Sequence, residues 1–384
     1  MSDPNQTKRV SPVERLVVRS NGRLHFGLSE ICPAEPNCFA GIGLMINHAT
    51  AEMEAVLSNC QNQGPSSTQC SIIADDYWSP RIRTFFEFWE QSKKETSPRS
   101  FPFASLALRE SPSPHCGLGS GTQMACSLAL LLATAERIPT TAEPTHDVNF
   151  SMEDFSIADI LRSDSSVDGQ STLDLQRSTL AKLSNRGKRS NIGLHGFIEG
   201  GFLIDHGHVA SESDEASDSK IIRKTDREEF PVEWPIILVQ HKNSTPGDSG
   251  SAEIAMFERC SRHPNPNRAR MLKMVSDEIV PSIKSKDWQA FDLAIGQYGQ
   301  LAGQLFEPVQ GGIYRTTTIA ETVNTITKLG IQGAVQSSWG PTISVVLRDQ
   351  DHAVWCQQQL RELLTDTSVT IVQASNSPAR VYTS

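Results

Sequence analysis

The 384-residue chain has little of what marks several large protein classes. Its eight cysteines, at 32, 38, 60, 70, 116, 126, 260 and 356, contain no CxxC pair and no His-rich zinc spacing accompanies them. That argues against a zinc ribbon or a disulfide framework and leaves buried or free thiols in a reducing compartment. The first residues, MSDPNQTKRVSPVERL, lack the apolar core of a signal peptide, and the longest alanine and leucine run, Met124–Ala135, is too short to span a bilayer. Basic residues are outnumbered, 35 against 44 acidic ones, for a net charge of −9. A nucleic acid, which wants a basic face, is therefore not expected as the main partner, although a local basic pocket is compatible with this balance. These absences predict a cytoplasmic protein with no membrane and no nucleic-acid partner.

What remains is ordinary globular material, 38% hydrophobic and 21% charged, and enough of it for two domains of roughly 100 to 200 residues each. Residues 1–12 are polar and proline-containing, a disordered lead-in. Short apolar runs broken by glycine at Arg15–Ser20, Gly22–Glu30 and Phe39–Ser58 predict antiparallel strands. Aromatic and aliphatic residues at helical spacing predict a helix over Tyr77–Glu90. A polar, acidic insertion covers about 139–171 around a short helix near Met152–Leu161. Ser171–His208 reads as helix, basic glycine turn and a hairpin-like pair containing Gly200 and Gly201, and the acidic run Ser211–Ser219 as a solvated loop tip. The strand Trp234–Gln240 opens a second domain. Helices over Ala252–Arg262, Asn267–Val280 and Trp288–Leu305 follow, then helix, glycine turn, strand, serine turn and strand across Glu321–Gln350. Helices mixed with short strands indicate an α+β fold, with domains at 13–225 and 226–384.

One stretch invites a chemical reading. In SPSPHCGLGSGTQMACSLALLLATAE, Ser111–Glu136, two prolines precede a turn through Gly117, Leu118, Gly119, Ser120, Gly121 and Thr122, and an alanine- and leucine-rich helix follows. Backbone N–H groups at a helix N-terminus lack intrahelical partners and carry the positive end of its dipole, so such a loop suits phosphate oxygens. A Thr-capped structural loop would look the same. The stretch is neither a Walker loop, which ends Gly-Lys-Ser/Thr, nor a dinucleotide fingerprint, which reads GxGxxG where this loop gives GxGxG.

Five blocks in order resemble the β-ribofuranosylaminobenzene 5′-phosphate synthase family of the GHMP superfamily. They are GRLHFGL at Gly22–Leu28, FAGIGLMI at Phe39–Ile46, HCGLGSGTQMA at His115–Ala125, RGKRSNIGLHGFIEGGFLIDHG at Arg186–Gly207 and GAVQSSWGPT at Gly333–Thr342. The resemblance implies an N-terminal domain like ribosomal protein S5 domain 2 and a ferredoxin-like C-terminal domain. It implies condensation of 5-phosphoribosyl 1-pyrophosphate with 4-aminobenzoate or 4-hydroxybenzoate, with loss of carbon dioxide and pyrophosphate, in methanopterin-type one-carbon carrier biosynthesis. Magnesium is expected from the resemblance, an organic cofactor is not, and a homodimer is one option. A GHMP-type kinase and a non-catalytic phosphosugar-binding protein are the alternatives.

The expected chemistry needs anion-binding groups more than bases. Arg186, Lys188, Arg189 and Ser190 supply them in one turn, whose bland reading is a solvated loop. Arg23 and His25 add to them, though His25 could be a packed strand histidine. Gln336, Ser337, Ser338 and Trp339 are either a tight turn with a packed indole or donors beside an aryl ring. GHMP kinases carry an Asp in the stretch corresponding to Gly187–Gly201; Asn191 stands there, and an amide cannot serve as a base. Asp205, Glu199 and Glu253 are candidates for magnesium, without a firm choice among them.

Overall fold

The computed structural model describes residues 15–35, 37–58, 67–93, 101–138, 156–161, 171–207, 225–242 and 251–383. The lead-in at 1–12, most of the polar insertion, the acidic run Ser211–Ser219 and Cys60 lie outside the described residues.

Two long strands organise the first half. β1 (Arg15–Leu28) runs antiparallel to β2 (Gly41–Leu57), from Arg15 opposite Val56 to Leu28 opposite Gly41. An irregularity between Ser20 and Gly22 divides β1, so that Leu16 and Val18 feed one core while Leu24 and Phe26 feed another. β3 (Ser71–Ile73) and β4 (Phe103–Glu110) pair in parallel, which demands the crossover that α1 (Trp78–Lys93) provides. α2 (Ser120–Arg137) has fourteen of its eighteen residues buried, which explains why its sequence shows no polar face. Around it lie α3 (Ile157–Ile160), α4 (Thr172–Ser184) and α5 (Ile192–Glu199). β5 (Phe202–Asp205) extends the sheet from the other half of β2 and pairs in turn with β6 (Thr225–Glu228).

The second half builds a four-stranded antiparallel sheet from β7 (Ile236–His241), β8 (Val335–Gln336), β9 (Ile343–Val346) and β10 (Thr367–Val372), in the order β10-β7-β9-β8. Its helices are α6 (Ser251–Cys260), α7 (Arg268–Met274), α8 (Val280–Ser285), α9 (Trp288–Gln310), α10 (Thr317–Lys328) and α11 (Gln350–Leu363). β7 is apolar from Ile236 to Val239 because both faces are covered there. Ile237 and Val239 meet Ile326 and Leu360 of α10 and α11. Ile236 and Leu238 instead join Phe291 and Ile295 of α9 in a core that also takes Phe26 and Phe202 from the first sheet. That shared core locks the two halves together. The last strand, β11 (Arg380–Thr383), returns to pair with β1.

The hairpin expected around Gly200 and Gly201 is not formed. Ile192–Glu199 is helical, and the two glycines, both at positive φ, make the corner from α5 into β5. Gly193 and Gly196 lower helix propensity and made this stretch look like turns. They are there for proximity: a Cβ at Gly196 would collide with Met45, and one at Gly193 would press on Thr122 at 3.2 Å.

Candidate active site

Five separate segments meet around one cavity of about 190 Å³. β1 supplies Arg23, His25, Phe26, Gly27 and Leu28. The α4–α5 loop supplies Arg189 and Ser190, and the β8–β9 turn supplies Gln336, Ser338 and Trp339. Helices α6 and α9, with the residues after α9, close the other side through Phe257, Phe306, Gln310 and Tyr314. Close approach of α9 to β1 depends on Gly27, held at φ 125°, since a Cβ there would collide with Ala302.

One end of the cavity is an aromatic box. The Trp339 ring lies 4.8 Å from Phe257 and 4.8 Å from Phe306, centroid to centroid, and the two phenylalanines are 6.0 Å apart and edge-on. The Arg189 guanidinium carbon sits 4.5 Å over the Phe257 ring, so this cation borders both the apolar and the charged ends.

The other end is polar. His25 is 6% exposed, and burial, with Arg23 beside it, holds its pKa well below the ordinary 6.5, so the ring is neutral. Gly27 N–H donates to Nδ1 at 3.1 Å, which leaves the ring proton on Nε2, 3.2 Å from Ser190 Oγ. The backbone of His25 is fixed as well: its N–H donates to Ser337 Oγ at 3.0 Å, and its carbonyl accepts from Ser338 N–H at 2.9 Å.

The glycine-rich loop divides into two parts with different roles. Its first half is a seam between the halves of the molecule. Across it Ser337 Oγ donates to Gly117 O at 2.8 Å and Thr342 Oγ1 donates to Cys116 O at 2.6 Å, while Arg23 N–H, from β1 in the same half as the loop, donates to Leu118 O at 2.9 Å. Gly117 and Gly340 touch so closely that a Cβ on either would collide with backbone. Its second half opens α2, whose first residue, Ser120, follows Gly119 at φ 78°; no side chain caps this terminus, so the Thr-capped alternative is not what forms. A Cβ at Gly119 would lie 3.0 Å from Arg23 Nε, and one at Gly121 would lie 3.7 Å from Arg186 Nη2. Two arginines thus lie against the first turn of α2, near Thr122 and Gly193 at the start of α5. Arg23 also lines the cavity, and so joins it to this basic shelf.

Of the residues singled out in the sequence, Arg23, His25, Arg189, Ser190, Gln336, Ser338 and Trp339 line the cavity. Arg186, Lys188 and Ser337 do not: the first two are exposed, and Ser337 is buried in the seam. Gln336 spends its amide on the turn, accepting from Arg315 N–H at 3.1 Å and donating to Ser338 O at 3.2 Å. Phe257, Phe306, Gln310 and Tyr314 are additions that sequence reasoning missed, because phenylalanines on helices read as core.

The candidates for magnesium fare differently. Asp205 is buried and accepts from Asn191 N–H at 2.6 Å and Gly207 N–H at 3.0 Å, so it anchors the start of α5. Glu199 pairs with Arg177 at 2.7 Å. The side chain of Glu253 lies outside the described residues. Among the described residues no carboxylate lines the cavity, and no three His, Cys, Asp or Glu side chains gather where they could hold an ion. The described residues around the cavity do not make a magnesium site.

No family model matches the chain. It is 23% identical over 346 residues to the β-ribofuranosylphenol 5′-phosphate synthase of Methanothermobacter thermautotrophicus, covering 86% of this chain and 88% of that protein. The protein of the same name from Methanocaldococcus jannaschii is 22% identical over 343 residues, 85% of this chain and 88% of the relative. Mevalonate diphosphate decarboxylase of Staphylococcus aureus superposes with a TM-score of 0.57 at 10% identity, covering 96% of this chain and 98% of its own. The Enterococcus faecalis enzyme does so at 0.55 and 14%, covering 97% and 100%. The chain is a relative of those synthases on a GHMP-kinase fold. The resemblance carried by the five sequence blocks, the α+β fold class and the placing of the chain among enzymes are thereby borne out. Among the described residues no helix is long and apolar enough to cross a membrane.

Proposed function

We propose that the chain is a decarboxylating aryl C-riboside synthase. It would join 5-phosphoribosyl 1-pyrophosphate to a 4-substituted benzoate and release carbon dioxide and pyrophosphate, as a step toward a methanopterin-type one-carbon carrier. The observation that carries this is an aromatic box opening directly onto two arginines and a neutral histidine, in a cavity that no carboxylate lines among the described residues. The relatives are named for a ribosylated phenol, which favours 4-hydroxybenzoate over 4-aminobenzoate as acceptor.

The chemistry suits such a site. The para hydroxyl donates electron density into the ring, and the carbon bearing the carboxylate attacks the anomeric carbon as the C–O bond to pyrophosphate breaks. The ring–carboxylate bond then breaks, its electron pair restores aromaticity, and carbon dioxide leaves. No proton need be removed, so the reaction requires no general base. A kinase would need one, and Asn191 is buried at the cap of α5 outside the cavity lining. Arg189 and Arg23 would stabilise charge as it grows on pyrophosphate, and the first turn of α2 would accept phosphate oxygens. Magnesium is proposed to arrive with the pyrophosphate, not on a cage of carboxylates.

Purified protein incubated with magnesium, phosphoribosyl pyrophosphate and carboxyl-labelled 4-hydroxybenzoate is expected to release labelled carbon dioxide in step with pyrophosphate. ADP formed from ATP and an alcohol, or tight binding of the phosphosugar without turnover, would overturn the reading.

A further inference from the structure

We infer that Ser190 donates a hydrogen bond to an oxyanion of the substrate, and that His25 acts through it as a positioning residue that fixes where the serine proton points. The geometry stands by itself; the identity of the oxyanion rests on the function proposed above.

The argument begins in the strand. Between His25 and Gly27 the register of β1 against β2 shifts by a bulge. Gly27 N–H turns into the imidazole at Nδ1, at 3.1 Å, instead of serving only the ladder. An Nδ1 that accepts has no proton, so Nε2 carries it and must be the donor toward Ser190 Oγ. Ile192 N–H reaches the same oxygen at 3.3 Å. A serine oxygen has two lone pairs and one hydrogen. With both lone pairs taken, the hydroxyl can act outward only as a donor. Ser190 lines the cavity with Arg23 and Arg189, so the group placed to receive that proton is an anion held between two guanidiniums.

The neutral ring matters to this arrangement. A second proton, on Nδ1, would confront Gly27 N–H and break the bond that sets the ring plane. Burial and the neighbouring Arg23 oppose that protonation. Arg189 lines the same cavity, and among the described residues no carboxylate lines it to favour a charged ring. His25 is therefore not a proton carrier. The oxyanion is a carboxylate oxygen of the aryl acid or a phosphate oxygen of the ribosyl donor, and both present the same acceptor to Ser190.

Two pairs of variants and two probes test this. Ser190→Thr keeps the hydroxyl and Ser190→Ala removes it. His25→Gln can still offer an N–H near the Nε2 position, whereas His25→Asn can satisfy Gly27 N–H yet falls short of Ser190. Binding of inorganic pyrophosphate and, separately, of 4-hydroxybenzoate is measured by calorimetry, alongside kcat and KM for each substrate and thermal melting. Ser190→Ala is expected to weaken one of the two probes about ten- to a hundredfold, the scale of a hydrogen bond to a charged group, with Ser190→Thr close to wild type; the probe affected names the oxyanion. His25→Asn should reproduce that loss and His25→Gln should recover most of it. Wild-type affinity and turnover in Ser190→Ala would overturn the donor role. Equal losses in His25→Gln and His25→Asn would show the imidazole to be packing only, and overturn the positioning role. If wild-type protein binds a probe with this Ser190 dependence but forms no riboside, the functional reading fails and the inference stands.

Discussion

Replacing Trp339 with leucine separates two roles that one indole could have. In the structure it is 9% exposed and contacts Phe257 and Phe306, each at 4.8 Å between centroids, so it is part of a small core. It also lines the cavity where the acceptor ring is proposed to bind. Each aromatic pair contributes about 0.5–1.5 kcal/mol beyond area burial, so losing two costs about 1–3 kcal/mol of stability. That is below the roughly 3–5 kcal/mol of a full truncation to alanine, because leucine refills part of the space. A bound aryl acid would make one further ring contact, and losing it should weaken 4-hydroxybenzoate by roughly two- to twelvefold, from the same 0.5–1.5 kcal/mol. Pyrophosphate, held by arginines and N–H groups away from the indole, should bind as in wild type. Calorimetric titration with each compound, together with thermal melting, reads all three effects. A lowered melting temperature with unchanged 4-hydroxybenzoate affinity would show Trp339 to be core alone. Equal weakening of both compounds would mean that the site had collapsed, and would refute the division into an aromatic and a charged end.

Arg189→Ala should lower kcat on the order of 10²- to 10³-fold, the effect of removing one preorganised charge contact, with Arg189→Lys in between because an ammonium cannot present a planar fork to two oxygens or stack on Phe257; near-wild-type turnover in the alanine variant would remove the basic turn from the site. The buried neutral His25 predicts a pH effect on stability. Its folded pKa lies below 6.5, so on acidification the unfolded chain takes up a proton that the folded one refuses. Stability is then full above pH 6.5 and falls below it, by at most about 1.4 kcal/mol per pH unit. Glu199 and Asp292, whose carboxyl pKa values burial raises, act in the opposite sense, so the observable is the difference in urea midpoints between wild type and His25→Gln from pH 7.5 to 5. Identical slopes would mean that His25 takes up a proton as readily in the fold as in the unfolded chain, and that burial does not hold it neutral.

Most of the fold was legible because its elements follow local rules. The strand runs, the helices of the second half and the order helix, glycine turn, strand, serine turn, strand all formed where apolar periodicity and turn residues put them. What misled was glycine inside α5, which by propensity reads as a turn and in the structure admits Met45 and Thr122. The aromatic box was hidden for a different reason. Phe257 and Phe306 lie on α6 and α9, 49 positions apart, and nothing local distinguishes a helical phenylalanine that faces a cavity from one that faces a core.

The glycine-rich loop shows where such reading reaches its limit. A glycine in a tight loop reports that something occupies the place of a Cβ, without saying what. At Gly117 it is the backbone of the β8–β9 turn, at Gly119 the side chain of Arg23, and only from Ser120 onward does an uncapped helix start leave N–H groups for a ligand. One motif therefore encodes two functions in sequence order: Cys116 and Gly117 bind the second half of the molecule through Thr342 and Ser337, and the residues after them open the proposed anion site, whose arginine, Arg23, is held through its own N–H by Leu118. The seam and the site are mechanically one object. A change that loosens Gly117 against Gly340 should reach Arg23 and His25 before it reaches the rest of β1, because Leu118, next to Gly117, holds the Arg23 backbone and Ser337, across the joint, holds that of His25.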